Sequence, residues 1–324
     1  KKDSIHSSIL KEKREIWVHV PAAGGPDIFS KQKYPVVYLL DGEAHFYSVA
    51  GMAHQLSKVN GNTICPEMII VGINNTDRTR DLTPTHTLTG PMIDSNFARN
   101  SGGGEKFTAF LEKELIPYID SAYPAAPYRM LIGHSLGGLM VINTLIHHTR
   151  LFNAYLSIDP SMWWHSKRLL RQASDSLMRK KYSGRTLFLG IANTLSKPMD
   201  TVKIKTDTSL SSLHIRSIFQ LRDELKKVKN NGLRWTYKYY NEVDHSSVPL
   251  ISENDALRFI FDFYRFRDME RLFDPSFNAD SSLTAHFKKV TAHFGYRVYP
   301  PEHIVNMLGY FFLQNKNLPK SFSF

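Results

Sequence analysis

Cysteine is nearly absent: Cys65 is the single one in 324 residues. No intrachain disulfide can form, and a zinc site built from clustered thiolates is excluded. Long apolar runs are missing too. No stretch reaches the roughly eighteen consecutive apolar residues needed to cross a bilayer, and the polar N-terminal segment has no signal-like apolar centre. The first residue is Lys1, which leaves a processed or trimmed start open, and the compartment, cytoplasmic or periplasmic, undecided. Acidic residues are in deficit, 30 Asp and Glu against 41 Lys and Arg, a formal charge of +11. Such a surplus suits nucleic acid, an anionic membrane surface or anionic substrates. Nucleic acid fits poorly: the basic residues are scattered through Lys1 to Arg14, Lys167 to Lys181 and Lys226 to Lys229, without aromatic interleaving or a recognisable DNA-binding motif.

What is present is ordinary for a folded globular chain, 42% hydrophobic and 22% charged, and its length allows one large α/β unit plus an appendage. Residues Arg14 to Pro21 alternate polar and apolar and predict a half-buried edge strand. After a turn-rich stretch from Ala22 to Lys33, Tyr34 to Leu40 is a continuous apolar run ending at Asp41-Gly42, as expected of a strand buried on both faces. Met68 to Ile73, Met130 to Ile132, Ala154 to Ile158, Thr186 to Ile191 and Trp235 to Tyr240 give further strands. Helical spacing falls at Lys106 to Tyr118, Gly138 to Ile146, Ser209 to Val228 and Asp255 to Tyr264. Strands alternating with helices imply a mainly parallel sheet covered on both faces. Beyond Phe273 only helical patterns remain, at Ser282 to Phe294 and Pro301 to Phe312. The division is therefore a 1–272 α/β unit and a 273–324 helical extension.

The chemistry concentrates at Gly133-His134-Ser135-Leu136-Gly137, which fits G-x-S-x-G between an apolar strand and an apolar helix. In that context the two glycines permit a strained strand-to-helix turn that lifts the Ser135 hydroxyl above the sheet. The bland alternative is a turn that merely packs helix on strand. A serine hydroxyl needs a base, and in an α/β-hydrolase arrangement that histidine comes last in chain order. His245, in the polar loop Asn241 to Ser247 after a strand, fits better than His147 and His148 on the elbow helix or His214 on a later one. The third member should be an acid after the strand Thr186 to Ile191. That strand runs instead into Ala192-Asn193-Thr194, so Asp200 is preferred, Asp207 is the runner-up with an equally good role as a helix N-cap, and an acid-free Ser-His dyad stays open. Asp244 adjoins His245 and is discounted because it points away in extended geometries. One oxyanion donor is the Leu136 amide; the second is the amide of Glu43 or Gly42, in the loop after the early strand. No metal or organic cofactor is required by this scheme.

Taken together, YPVVYLLDGEAHF, MIIVGINNTDRTRDLTPT, LIGHSLGGLM, DPSMWW and DHSSVPL resemble the putative-esterase family, which includes esterase D and the enterochelin and salmochelin esterases (IroE-like serine hydrolases). The resemblance spans about Ile9 to Arg265. It implies an α/β-hydrolase fold and hydrolysis of carboxylic esters through an acyl-enzyme, with Ser135 and His245 in the matching positions and Glu43 at the usual oxyanion-donor position. It further implies that Arg78, Arg80, Trp163 and Trp164 border the substrate cleft. The alternatives are an ion pair with Asp81 or Asp77 for the arginines and core packing for the tryptophans. Members commonly carry an acid where this chain has Ala192-Asn193. The helical tail resembles a tetratricopeptide-like extension of one unit, which cannot stack alone and so packs on the hydrolase or serves homo-oligomer contact.

The expected partner is a small-molecule ester, with neither nucleic acid nor a membrane span. Two rivals remain at this stage. One is a siderophore esterase for an anionic trilactone, drawn by the positive charge and Arg80. The other is a catalytically vestigial hydrolase fold that binds a partner, for which the missing acid speaks.

Overall fold

The computed structural model describes residues 1–22, 33–196, 199–274 and 276–321. The turn-rich stretch expected from Ala22 to Lys33 lies almost wholly outside them. Eight strands form one sheet: β1 (Lys2–Ser7), β2 (Glu12–His19), β3 (Tyr34–Leu40), β4 (Ile69–Ile73), β5 (Ala125–His134), β6 (Ala154–Ile158), β7 (Arg185–Ala192) and β8 (Leu233–Tyr240). Their order is β1-β2-β4-β3-β5-β6-β7-β8. The β1–β2 and β2–β4 pairs are antiparallel and the other five are parallel. The segment expected as an edge strand, β2, is therefore internal, because the polar strand β1 pairs along its outer side. Lys2–Ser7 reads KDSIHS, with no alternation from which a strand could be predicted.

The helices are α1 (Gly42–Ser57), α2 (Arg78–Leu82), α3 (Ser95–Ala98), α4 (Gly104–Phe110), α5 (Ile116–Ala122), α6 (Leu136–His147), α7 (Trp164–Arg179), α8 (Leu213–Lys227), α9 (Val248–Ile260), α10 (Ala279–Phe294), α11 (Glu302–Gln314) and α12 (Leu318–Ser321). Alternation in β3 sorts them into two layers, since successive side chains of a strand point to opposite faces. Val36, Tyr38 and Leu40 join the apolar cluster that includes Leu139 and Ile142 of α6, Leu170 of α7 and Ile218 of α8. Val37 and Leu39 join the opposite cluster, with Phe46 and Val49 of α1 and Leu257 and Ile260 of α9. Helix α6 is buried along nearly its whole length, which explains its almost unbroken apolar sequence.

The helical tail belongs to that second layer. Phe287, Val290 and Phe294 of α10 and Ile304, Leu308 and Phe312 of α11 are buried in the same cluster as α1 and α9. The Phe294 ring stands edge-on to Tyr128 of β5, centroids 4.9 Å apart. The single helical unit thus packs on the hydrolase, where its apolar stripe finds the partner that further repeats would otherwise supply. Among the described residues no helix is long and apolar enough to cross a membrane.

A carboxyl group lies inside this layer. Glu253 of α9 is 1% exposed and accepts from Ser48 Oγ of α1 at 3.3 Å, while its Oε1 has no hydrogen-bond partner among the described residues. Burial pushes its carboxyl up to about 8, and burial likewise lowers the neighbouring His45 imidazole, so both stay neutral near pH 7. The unfolded chain releases the Glu253 proton near 4.5, so between 4.5 and about 8 the folded state binds more protons than the unfolded one. Stability from this group is therefore complete at low pH and falls as pH rises through that window, with a slope approaching ~1.4 kcal/mol per unit. Glu253→Gln should flatten the loss in chemical unfolding measured from pH 5 to 8; identical pH dependence in both proteins would show that Glu253 is ionised in the fold.

Candidate active site

Strand β5 ends at His134, helix α6 starts at Leu136, and Ser135 between them has φ 58° and ψ −114°. A non-glycine residue is held in this region only when its surroundings over-determine it. Here Ser135 N–H donates to Ile158 O of β6 at 3.0 Å, and Ser135 O accepts from Leu139 N (2.9 Å) and Ser161 N (3.0 Å). The flanking glycines are steric necessities. A Cβ on Gly133 would lie 2.4 Å from Gly137 C and O, and one on Gly138 would lie 2.9 Å from Ile158 O. The turn places Ser135 Oγ half-exposed at the carboxyl ends of the parallel strands, where it hydrogen-bonds Ser161 Oγ at 3.2 Å.

His245 stands beside this turn. Its ring centroid is 4.4 Å from that of His134, the residue before Ser135. Burial, then the nearby His245, lowers His134 to about 4, so this neighbour adds no charge. No Ser135–His245 hydrogen bond forms in this arrangement; such bonds are often long or misaligned before substrate binds.

The carboxylate facing His245 is Asp159, at the tip of β6. Asp159 Oδ2 accepts from His245 Nδ1 at 2.6 Å and from His214 Nε2 of α8 at 2.8 Å, and its Oδ1 accepts from Ala192 N at 3.0 Å. Asp159 is fully buried; burial alone would raise its pKa, but the hydrogen bonds from His214 and His245 outweigh burial and hold it below the usual carboxylate range. Because a carboxylate only accepts, His245 carries its proton on Nδ1 and presents a bare Nε2.

Asp200 and Asp207 do not occupy this position. Asp200 is exposed and accepts from the amides of Val202 and Lys203, both at 2.8 Å. Asp207 accepts from the hydroxyls of Ser209 and Ser212, at the approach to α8. Both serve local turns, so a carboxylate after β7 is replaced by one after β6. The substitution works because the two strand tips are neighbours: Ile158 pairs with Gly190, and Asp159 N–H donates to Gly190 O at 2.8 Å. Where β7 would have supplied an acid it supplies the Ala192 amide that fixes one. The available signal was an Asp at the carboxyl end of an apolar strand, Asp159 after Ala154–Ile158. Asp244 turns away from the imidazole, its Oδ1 accepting from the amides of Ser246 (3.1 Å) and Ser247 (2.9 Å).

The expected oxyanion loop lies beside the elbow. Helices α1 and α6 begin at the ends of the adjacent parallel strands β3 and β5, so Glu43 and Leu136 both sit in first turns, the positive ends of helices. Arg78 ties the two starts together. It donates to Asp41 through Nε (2.6 Å) and Nη2 (2.9 Å), and Nη2 also reaches His134 O at 3.3 Å. Asn75 Nδ2 adds bonds to Asp41 Oδ1 (2.7 Å) and Glu43 Oε1 (2.6 Å). Asp41 itself has φ 54°. The Arg78 guanidinium thus fastens the loop that carries Glu43.

The other residues expected at the cleft divide. Arg80 is spent on a structural network: it bonds Glu12 at 2.7 and 3.0 Å and Asp81 at 2.7 Å, and Asp81 also takes Arg14. Trp164 is 1% exposed and donates to Thr85 O at 3.0 Å, so it is core. Trp163 is half-buried and donates its indole N–H to His214 Nδ1 at 3.1 Å. Beyond it the chain makes a left-handed turn at His165, Ser166 and Lys167 (φ 47°, 50°, 64°), a conformation that L-residues adopt at a cost. His165 Nδ1 anchors this turn on Thr85 Oγ1 at 2.9 Å. Asp159, His214 and His245 also satisfy the spacing of a metal set. The indole N–H against His214 Nδ1 requires the proton to sit on Nε2, the atom a metal would need, so the trio is a hydrogen-bond network.

The profile of the family described as Putative esterase matches residues 7–204. An IroE-like serine hydrolase from Shewanella oneidensis superposes with a TM-score of 0.83 at 31% identity, covering 99% of this chain and 96% of its own. The ferri-bacillibactin esterase BesA of Bacillus subtilis is 26% identical over 236 residues, 70% of this chain and 78% of that protein. A siderophore triacetylfusarinine C esterase of Aspergillus fumigatus is 27% identical over 158 residues, 46% of this chain and 51% of that protein.

If Asp159 orients His245, Asp159→Asn should lower kcat on an aryl ester by about 10⁴-fold, since the amide favours the wrong tautomer. Asp200→Asn should leave kcat near the wild-type value, since its carboxylate is exposed and bonds only its own turn. The reverse ranking would restore the acid to the loop after β7.

Proposed function

The chain belongs to the Putative esterase family and is a serine ester hydrolase with the α/β-hydrolase fold; from that premise we propose that Ser135, His245 and Asp159 form its catalytic triad. His245 Nε2 takes the proton of Ser135 Oγ as the oxygen attacks the ester carbonyl. Asp159 holds Nδ1–H and balances the imidazolium that forms. The carbonyl oxygen, now an oxyanion, is received by the amides of Leu136 and Glu43, whose loop Arg78 and Asn75 secure. Each such donor is worth about 2.7 to 4 kcal/mol in the transition state. Collapse of the tetrahedral intermediate breaks the ester C–O bond, and His245 returns its proton to the leaving alcohol. Water, deprotonated by the same imidazole, then splits the acyl-enzyme and frees the acid and Ser135. The observation that carries this reading is the 2.6 Å Asp159–His245 contact beside a serine strained at positive φ.

Among esters, an iron-siderophore ester is favoured over a small neutral one. The Bacillus relative is named a ferri-bacillibactin esterase and the Aspergillus relative a siderophore triacetylfusarinine C esterase, and the chain carries the surplus charge an anionic substrate would seek. Arg80, paired with two carboxylates, does not supply the attraction. Lys167, whose amide donates to Trp163 O at 3.2 Å, is a nearer cation, and burial and then the charge of Arg216 depress its ammonium, so the two cations share one patch. For such a substrate kcat/KM should fall steeply with added salt, because exposed charges are screened within about 10 Å at 0.1 M. A flat salt profile on the siderophore ester, equal to that on a neutral aryl acetate, would reject the charged substrate.

The nucleophile is tested separately by a fluorophosphonate probe, which should modify Ser135 and leave Ser135→Ala unlabelled. The same variant should lose roughly 10⁴-fold or more of kcat. Wild-type protein that is folded yet takes no label would mark the site as vestigial.

A further inference from the structure

One residue at the site has no part in the triad, and the hydrogen-bond chain through it fixes a protonation state. Trp163 Nε1–H points at His214 Nδ1 (3.1 Å), and His214 Nε2 lies 2.8 Å from Asp159 Oδ2, the oxygen that His245 Nδ1 approaches to 2.6 Å. Indole is a donor only, so His214 Nδ1 must be an unprotonated acceptor. A neutral imidazole has one proton, which then sits on Nε2 and is donated to Asp159. The His214 and His245 rings meet edge to face at 5.0 Å. Resting on the triad reading above, we propose that His214 is a positioning residue: held neutral by Trp163, it shares the triad carboxylate oxygen and thereby sets the pH at which His245 becomes a base.

The sign follows from the shared oxygen. An N–H bond from His214 draws electron density from Asp159 Oδ2 and weakens its stabilisation of the His245 imidazolium, which lets Nε2 lose its proton at lower pH. Removing this donor leaves His245 as the sole partner of that oxygen. A His214 that carried a positive charge would act more strongly in the same direction and would compete with His245 for the carboxylate. The Trp163 N–H prevents this, because protonation of Nδ1 would set two N–H groups against each other.

The other charged and titratable groups around the trio come from several elements. His134 at the end of β5 and His45 on α1 are both depressed by burial, and Asp41 lies before α1 with Arg78 of α2 paired to it. Asp244 sits in the His245 loop itself, and Lys167, whose amide bonds Trp163 O, lies near Arg216 of α8. None of these bonds Asp159. Among the described residues its carboxylate bonds the two imidazoles and the Ala192 amide, so substitution at His214 changes the carboxylate directly and these surroundings only indirectly.

The test is the acid limb of kcat/KM on an aryl acetate, which reports the base in the free enzyme. His214→Phe keeps a ring but no donor, and the limb should move up by about 0.5 to 1 unit, the worth of one neutral hydrogen bond. His214→Gln keeps an N–H where Nε2 stood and cannot take a proton, so its limb should stay near wild type. Trp163→Phe releases Nδ1 to protonate, and the limb should move down or split into two steps. A purely structural role would shift kcat or stability in these variants without opposite displacements of the limb. In parallel, ¹⁵N-histidine NMR of the wild-type protein should show His214 neutral with its proton on Nε2 throughout pH 5 to 8. A proton on Nδ1, or limbs of folded His214→Phe and Trp163→Phe that coincide with wild type, would overturn the proposal. Should His214→Phe not fold, the Trp163→Phe limb and the NMR decide by the same criteria. The NMR reading does not depend on turnover, so a protein unlabelled at Ser135 that keeps this tautomer refutes the triad and leaves the His214 assignment standing.

Discussion

A fully buried carboxylate with three N–H donors is the constraint around which the site is arranged. Asp159 can remain ionised in an apolar interior only because His245, His214 and the Ala192 amide surround it. Those bonds join four parts of the chain: the tip of β6, the tip of β7, the start of α8 and the loop before α9. Loss of the carboxylate would release the imidazole from its tautomer and leave buried donors unpaired. The geometry that orients His245 is thus also a tie that closes the sheet's carboxyl edge.

The opposite side of the cleft is closed by an ion pair. Arg78 grips Asp41 with two nitrogens and touches the carbonyl of His134, so the helix start bearing Glu43 and the turn bearing Ser135 share one guanidinium. An arginine suits this task because its planar fork matches a carboxylate in fixed orientation. Two strained residues, Asp41 at φ 54° and Ser135 at φ 58°, are held by this region. Strain placed this close to the nucleophile is consistent with amides preset for an oxyanion, which then costs no reorganisation during reaction.

Much of this was legible in the sequence because it is local. Unbroken apolar strands such as Tyr34–Leu40, the G-x-S-x-G turn and the late loop histidine each declare themselves within a few residues, and helical spacing beyond Phe273 marked the tail. Strand β1 was not legible, since KDSIHS pairs through its backbone and lacks an alternating pattern. The carboxylate that faces His245 was missed for a different reason. Reading along the chain sought a carboxylate after the strand before the histidine, whereas the sheet places β6 and β7 side by side and lets the earlier tip supply it. His214 lies 55 residues from Asp159, and nothing in α8's amphipathic pattern separates a partner of Asp159 from a surface histidine. Arg80 and Trp164 erred the other way: their types suit a cleft, but Glu12, Asp81 and Thr85 had claimed them for the interior.

The crystal structure of the protein after reaction with a small phosphonate tests the central claim most directly, because the adduct mimics the tetrahedral intermediate. The account predicts phosphorus bonded to Ser135 Oγ, the phosphonyl oxygen within hydrogen-bond distance of the Leu136 and Glu43 amides, and His245 Nδ1 still on the Asp159 carboxylate. An adduct on another residue, or His245 turned to a different carboxylate while Asp159 keeps only His214, would contradict it.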